Sequence, residues 1–351
     1  MLVWFCRMKQ YSLTLSAFLF FVLVVGLSWA GTLSSYIQLV LMFVGVNIMM
    51  SSSLNLVNGY MGEFSCGHAG FMAVGAYAAS LVTVWCFTAE SVFGPNLLPP
   101  AWAVVLFPFI LLFGGVIAAL AGLLVAIPSF RTRGDYLAII TLAVNYIVKS
   151  AIENIQPIGG ARGFMGMARV VNGMKEVADI PWMMIWTWAF VFLTVLLIKR
   201  FVSSTYGKGI IAIREDEIAA EIMGVNTRRA KMVAFMLSSG LAGLAGGLFA
   251  HILGYINPGS FGIMKSTEAL VMVYLGGMGS LSGSVLSAVL FTLLLEILRP
   301  LQLYKWVVVP FILILLMLFR TEGLLGHREL TDVFPILKRI FGSREEVHAA
   351  F

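Results

Sequence analysis

Apolar residues dominate the chain in long continuous runs, and polar residues are gathered in the shorter segments between them. Several runs approach or exceed the roughly 20 residues that an α-helix needs to cross a bilayer. The eighth and ninth runs are short and interrupted by glycine, so they could instead form half-helices or a re-entrant pair. The pattern predicts about ten transmembrane helices, at residues 12–30, 36–57, 67–87, 102–127, 135–155, 182–200, 231–255, 266–281, 284–299 and 303–320.

Composition supports a membrane protein. The chain has 351 residues, a mean hydropathy of +0.95 and 11% charged residues, whereas soluble domains carry about 25% charged residues. A transmembrane β-barrel would show short alternating segments instead. We therefore expect an all-α, polytopic integral membrane protein, whose first apolar run is too long for a signal peptide and is an uncleaved span.

The net charge of +6 could indicate a nucleic-acid partner, but the basic residues lie at the ends of apolar runs. Such a distribution sets membrane topology and favours both termini on the cytoplasmic side, with no nucleic-acid partner. Arg299 and Lys305 at the supposed outer turn are a mild objection to this topology. The three cysteines, Cys6, Cys66 and Cys86, have no metal-ligand spacing.

Two longer segments interrupt the apolar pattern. Residues 156–181 are rich in Gly and Met and are expected outside, whereas residues 201–230 are expected on the cytoplasmic side. We expect one transmembrane domain over residues 1–326 and a polar cytoplasmic tail over residues 327–351.

The segment from Arg214 to Thr227, REDEIAAEIMGVNT, is highly charged for this chain. Glu215 to Met223 is rich in helix formers, and Gly224 is a stop signal. The spacing predicts a short amphipathic helix with an acidic flank formed by Glu217 and Glu221. Its apolar ridge consists of Ile218, Ile222 and Val225.

This helix could lie on the lipid surface or dock into a soluble partner. Helices that lie on membranes are typically basic, and acidic residues gain nothing from an anionic inner leaflet. The acidic flank therefore favours docking, with apolar anchors at helical spacing. The candidate coupling residues are Glu215, Asp216, Glu217, Ile218, Ala219, Ala220, Glu221 and Gly224.

The sequence IAAEIMG at 218–224 resembles the Glu-Ala-Ala-x-x-x-Gly coupling loop of ABC-importer permeases, which docks into a cleft of the ATPase subunit. Ala219, Ala220 and Gly224 match, but Ile218 stands in place of the family's leading Glu, and Glu217 lies one residue earlier. A wider resemblance, covering about residues 35 to 326, is to branched-chain amino-acid permeases of the LivM type. It is carried in order by the blocks at Leu54–Ser80, Arg131–Val148, Gly159–Met167, Tyr206–Ala250, Leu270–Leu290 and Leu318–Gly326.

The resemblance implies an ABC-importer permease bundle in the inner membrane of a bacterium. Its implied partners are a second, LivH-type permease, two ATPase subunits and a periplasmic substrate-binding protein. ATP and Mg would bind to the ATPase subunits, and this chain would bind no cofactor or metal and would not be an enzyme. No GxxxxGK[ST] phosphate loop occurs in it. Leucine, isoleucine and valine are the implied substrates, with urea, another small amide or another amino acid as the alternative. An ATP-independent secondary transporter or channel is the alternative of another class.

Polar side chains within or beside the spans are candidates for the translocation path, because such groups are costly in a membrane and often functional. Their alternative role is structural, as interhelical hydrogen bonds or, for residues near helix starts, as caps. Glu268 and Glu296 each have a cation three residues away, Lys265 and Arg299, with which they could form ion pairs. The path candidates are Asn47, Ser51, Asn55, Glu63, Ser65, His68 and Glu268.

Overall fold

A computed structural model of the chain describes residues 33–88, 102–130, 136–178 and 180–301, with single residues or short stretches near 25–31, 94–99 and 304–326. Most of the predicted span 12–30 and more than half of the predicted span 303–320 lie outside the described residues, and the predicted tail 327–351 lies wholly outside them.

The described part of the chain is almost entirely helical, with one two-stranded antiparallel ladder formed by β1 (Phe164–Met165) and β2 (Tyr255–Ile256). The helices are α1 (Ser35–Asn55), α2 (His68–Phe87), α3 (Ala103–Ser129), α4 (Tyr136–Asn154), α5 (Met167–Val177), α6 (Trp182–Ser203), α7 (Thr205–Glu215), α8 (Glu217–Ile222), α9 (Thr227–Leu253), α10 (Ile263–Gly276) and α11 (Leu281–Ile297).

Six of the described helices are long and apolar enough to cross a membrane: α1 with the π-helical turn that extends it to Tyr60, α2, α3, α4, α6 and α9. They coincide within a few residues with the predicted spans 36–57, 67–87, 102–127, 135–155, 182–200 and 231–255. The prediction of a polytopic helical membrane protein is therefore confirmed.

The shorter helices α10 and α11 contact each other and are joined by a turn at Gly277–Ser280. α11 lies beside α1 and contacts both of its ends: Arg299, just after α11, donates to the Tyr36 hydroxyl at 2.7 Å, and Asn55 donates to the Ser280 carbonyl at 2.9 Å. At about 1.5 Å per residue, the 17 residues of α11 extend over about 25 Å. Both helices are shorter than the roughly 20 residues of a full span, so the alternative of half-helices or a re-entrant pair stays a prediction.

Helix α9 lies at the centre of the bundle, against α1, α2 and α3. A Cβ atom at Gly75 would overlap the backbone of Gly243, and a Cβ atom at Gly246 would overlap the backbone carbonyl of Met72. The small residues therefore let the helix backbones touch, as is usual in membrane bundles, where close packing replaces the hydrophobic effect between helices.

Both segments that were predicted as long loops contain helices. In 156–181, α5 buries Met167, Val170 and Met174, a spacing that fits one helix face. In 201–230, the short helix predicted over Glu215 to Met223 is present as α8, and a further helix, α7, precedes it. The helical conformation is interrupted between α7 and α8 because Asp216 has an extended backbone (φ −157°, ψ 111°).

Candidate functional site

Helix α8 is held in place by caps at both ends. The Asp216 carboxylate Oδ1 accepts hydrogen bonds from the backbone N–H groups of Ile218 at 2.9 Å and Ala219 at 3.0 Å, which satisfies two of the free donors of the first turn. At the other end, Gly224 has a φ of +84°, which glycine adopts without strain. A six-residue helix has little stability of its own, so these caps define it.

One side of α8 carries an exposed apolar patch. Ile218 is 69% exposed, Ile222 80% and Met223 83%, whereas Ala220 is 4% exposed and packs inward. The predicted ridge is therefore corrected: Val225 lies beyond the helix end and is partly buried against the core, and Met223 takes its place in the patch. Of the two alanines of the motif, Ala219 faces outward and Ala220 packs against the protein.

Lys231, near the start of α9, joins α8 to the segment between α1 and α2. Its Nζ lies 2.7 Å from Glu63 Oε1 and 2.8 Å from Glu217 Oε1. Glu63 belongs to residues 61–67, which connect the π turn after α1 to α2 and which we call the inner hinge. Glu217 is the first residue of α8. Glu63, a candidate for the translocation path, is thus in contact with the candidate coupling helix through one cation.

Arg214, in the last turn of α7, makes a second connection to the same region. Its Nη1 donates to the Gly59 carbonyl in the π turn at 3.2 Å, and its Nη2 lies 2.6 Å from Glu215 Oε1. Gly62 has a φ of +75°, and a Cβ atom there would lie 2.6 Å from Arg214 Cγ. Glu215 is the last residue of α7, and its carboxylate holds the Arg214 guanidinium beside the hinge.

The remaining acid of the segment, Glu221, connects α8 to α9: the Thr227 hydroxyl donates to Glu221 Oε1 at 2.9 Å. Together these contacts leave the apolar patch free and fix the opposite side of α8 to the bundle.

The polar strip on α1 forms hydrogen bonds between helices. Asn47 Nδ2 donates to the Thr292 hydroxyl at 2.9 Å, and the Ser51 hydroxyl donates to the Ser284 carbonyl at 3.1 Å. Asn55 is bonded in the same way to the turn before α11. The strip therefore forms the interhelical hydrogen bonds that were its alternative role. Its part in translocation stays a prediction.

Ser65 does not cap α2. The helix begins after Gly67 without a side-chain cap, and the Ser65 hydroxyl is buried with no hydrogen-bond partner among the described residues. His68 bonds across helices instead of locally, since its Nε2 lies 2.8 Å from the Ser53 hydroxyl on α1. Both side chains are buried, Ser65 within the inner hinge and His68 directly after it, and their part in the translocation path stays a prediction.

Glu268 and Glu296 both form the ion pairs that their spacing predicts. Glu268 Oε2 lies 2.9 Å from Lys265 Nζ, and Glu296 Oε1 lies 3.2 Å from Arg299 Nη1. Lys265 Nζ also lies 5.7 Å from the centre of the Phe249 ring.

In the described part of the chain, no three His, Cys, Asp or Glu side chains are grouped in a way that could hold a metal ion.

The contacts that Lys231 and Arg214 make with the segment after α1 were not predicted from the sequence, because both residues were considered only as charges that set the membrane topology. One signal was available for Lys231. A cation inside the first turns of an apolar helix is costly unless it is paired, so an acidic partner on the same side of the membrane could have been sought.

Comparison with known proteins adds the family. Residues 35–318 match the family described as the permease component of branched-chain amino acid transport systems. The chain belongs to this family. It is a multi-pass membrane protein of the permease type, consistent with its six long apolar helices.

Three relatives illustrate the similarity. The high-affinity branched-chain amino acid transport system permease protein LivM of Escherichia coli K12 is 31% identical over 332 residues, which cover 88% of this chain and 74% of LivM. The high-affinity branched-chain amino acid transport system permease protein LivH of Salmonella typhimurium is 26% identical, and the match covers 83% of this chain and 96% of LivH. A probable LivM of Methanocaldococcus jannaschii is 22% identical, covering 87% of this chain and 97% of that protein. No solved structure matches the chain.

Proposed function

We propose that this permease is the membrane-spanning subunit of an ATP-driven importer that carries leucine, isoleucine and valine across a bacterial inner membrane. The family match and the names of the LivM and LivH relatives support this substrate class. Relatives of both kinds occur in E. coli as separate permease proteins of one named transport system, which supports a second, LivH-like permease as the partner in the membrane.

In this proposal, two ATPase subunits bind on the cytoplasmic side, and a periplasmic binding protein delivers the substrate on the other. ATP and Mg²⁺ are bound by the ATPase subunits. This chain supplies the path and the mechanical connection, and it carries out no hydrolysis.

The observation that carries the proposal is the exposed apolar patch of α8, formed by Ile218, Ile222 and Met223. Burying one such side chain contributes about 1.5–3 kcal/mol, so three of them give a soluble partner a substantial reason to bind. Apolar anchors on one face of a short helix suit a complementary groove in that partner. The acidic residues on α8 argue against burial of the same patch in an anionic membrane surface.

The transport step follows from this attachment. When ATP draws the two ATPase subunits together, α8 moves with the groove in which it sits. The bundle then passes between its outward-open and inward-open arrangements, because the ATPase contacts stabilise one arrangement more than the other.

The proposal is tested by purifying the tagged chain from its native membranes in mild detergent and identifying the bound proteins by mass spectrometry. We expect ATPase subunits and a second permease to be recovered. Ile222→Arg should remove the ATPase subunits, because a cation would enter an apolar groove, whereas the matched control Ile222→Leu should retain them.

Recovery of the chain without any ATPase, from a preparation that still transports solute in the absence of ATP, would overturn the proposal. That outcome would favour a secondary transporter or channel. Equal recovery of ATPase subunits with Ile222→Arg would remove α8 as the docking element.

A further inference from the structure

The side chain of Lys231 is enclosed between two carboxylates that come from different parts of the fold. Only 9% of its side chain is exposed, against 22% for Glu63 and 46% for Glu217. Glu63 precedes Lys231 by 168 positions and lies in the inner hinge, whereas Glu217 opens α8. One ammonium group is therefore the shared partner of the candidate docking helix and of the connection between two membrane spans.

A simple structural role would require only one carboxylate. A buried cation needs an opposite charge nearby, and Glu63, which is the less exposed of the two acids, already provides one at 2.7 Å. Glu217 adds a second negative charge to the cluster from a half-exposed position, where an ion pair contributes little to stability. The contact of Glu217 with Lys231 therefore adds little to stability, but it does connect α8 to the ammonium group.

The inner hinge is a short non-helical connection. It lies between a π-helical turn that ends at Tyr60 and the start of α2 at His68, where the Ala69 N–H donates to the Ser266 hydroxyl on α10 at 3.0 Å. Gly62 within the hinge has a left-handed backbone. Glu217 contacts Lys231 at 2.8 Å, and Lys231 contacts Glu63 at 2.7 Å. A shift of α8 that keeps both contacts therefore displaces the hinge in the same direction.

We propose that Lys231 is the positioning residue that transmits movement of α8 to the inner hinge, and so to the relative tilt of α1 and α2. Glu217 takes up the movement, Lys231 relays it and Glu63 delivers it to the hinge. The inference rests on the proposed function, because the movement of α8 is supplied by the ATPase subunits.

The experiment measures ATP hydrolysis and uptake of radiolabelled leucine on the same proteoliposomes, which contain the complex purified through this chain. The quantity compared is the amount of leucine transported per ATP hydrolysed. Lys231→Met should leave the apolar patch and ATPase binding intact but lower this ratio by about 5-fold or more, the usual range of a coupling free energy between sites. Lys199→Met removes an exposed lysine at the end of α6 and should leave the ratio unchanged.

Two further variants separate transmission from folding. Lys231→Arg keeps a cation between the two acids and should restore most of the ratio. Glu217→Gln keeps the buried Lys231–Glu63 pair, so it should fold normally and still lower the ratio. In the Lys231→Met background, Glu217→Gln should cause no further loss, because both changes break the same interaction.

An unchanged ratio in Glu217→Gln and Lys231→Met would overturn the inference. So would a loss of assembled complex with a normal ratio in what remains, since this is the signature of a structural ion pair. Failure of the proposed function is recognised separately, by wild-type proteoliposomes in which uptake does not depend on ATP.

Discussion

The side-chain amide of Asn55 on α1 donates a hydrogen bond to the hydroxyl of Ser284 on α11, at 2.7 Å. The same amide nitrogen donates to the Ser280 carbonyl at 2.9 Å, and its oxygen accepts from the Gly279 N–H at 3.0 Å. One buried residue thus bonds to two groups of the turn that joins α10 to α11 and to one hydroxyl on α11 itself.

Asn55→Leu should therefore destabilise this junction. The Gly279 N–H would lose its partner in a partly buried site, and such an unsatisfied group costs about 1–3 kcal/mol. The Ser280 carbonyl would keep its bonds from Ser284. The measurement is the unfolding midpoint of the purified protein on titration with SDS. Thr267→Ala, at an exposed position of α10, is the control and should stay close to wild type. An unchanged midpoint for Asn55→Leu would contradict the assigned role.

Gly246→Ala should weaken the contact of α9 with α2. The added methyl group would overlap the Met72 carbonyl, and overpacking of this kind costs about 1–3 kcal/mol. Membrane insertion should be normal, because the hydropathy of the span hardly changes, whereas transport per inserted molecule should fall.

Gly209→Ala is the matched control for this prediction. A Cβ atom there would meet only Val225 Cγ1, at an ordinary 3.5 Å, so the unfolding midpoint should not fall. Equal midpoints for the two alanine variants would show that the backbone contact of α9 with α2 does not limit stability.

Asp216→Ala should loosen α8 by removing the acceptor for the Ile218 and Ala219 N–H groups. Loss of an N-terminal cap costs about 0.5–2 kcal/mol, which is large for so short a helix. The apparent affinity of the permease for its ATPase subunits, measured by dilution of the purified complex, should fall about 2- to 30-fold if all of that cost appears in binding. Asp216→Ser retains a capping oxygen and should stay near wild type; equal weakening by Ser and Ala would contradict the capping role.

Burial raises the pKa of the Cys66 thiol in the inner hinge above its ordinary value. Only the thiolate is nucleophilic, so at neutral pH Cys66 should react with N-ethylmaleimide more slowly than free cysteine. The reaction rate of Cys66 should keep rising with pH above the pH at which the reaction rate of free cysteine levels off. Mass spectrometry of the peptide that contains Cys66 follows the reaction, and Ser203→Cys provides an exposed comparison site. A rate equal to that of free cysteine at every pH would contradict the assigned burial.

Run length and composition were sufficient to predict the spans, because a bilayer accepts only segments whose backbone groups are satisfied internally. The confirmed spans from α1 to α4 show this. The break at Asp216 was not predicted, because the same residues are good helix formers and the interruption depends on one capping carboxylate. The Lys231 contacts could not be read from spacing, since Glu63 and Lys231 lie far apart in the sequence and meet only when α2 and α9 pack together.

We expect this chain to move branched-chain amino acids only when ATP is hydrolysed by its proposed partner subunits. Uptake of radiolabelled leucine is measured into proteoliposomes that contain the purified complex, with ATP and Mg²⁺ on the ATPase side and the binding protein on the other. Uptake should require ATP and be reduced by unlabelled isoleucine or valine but not by urea. Uptake without ATP would contradict an ATP-driven importer, and ATP-dependent uptake of urea in place of leucine would contradict the proposed substrate.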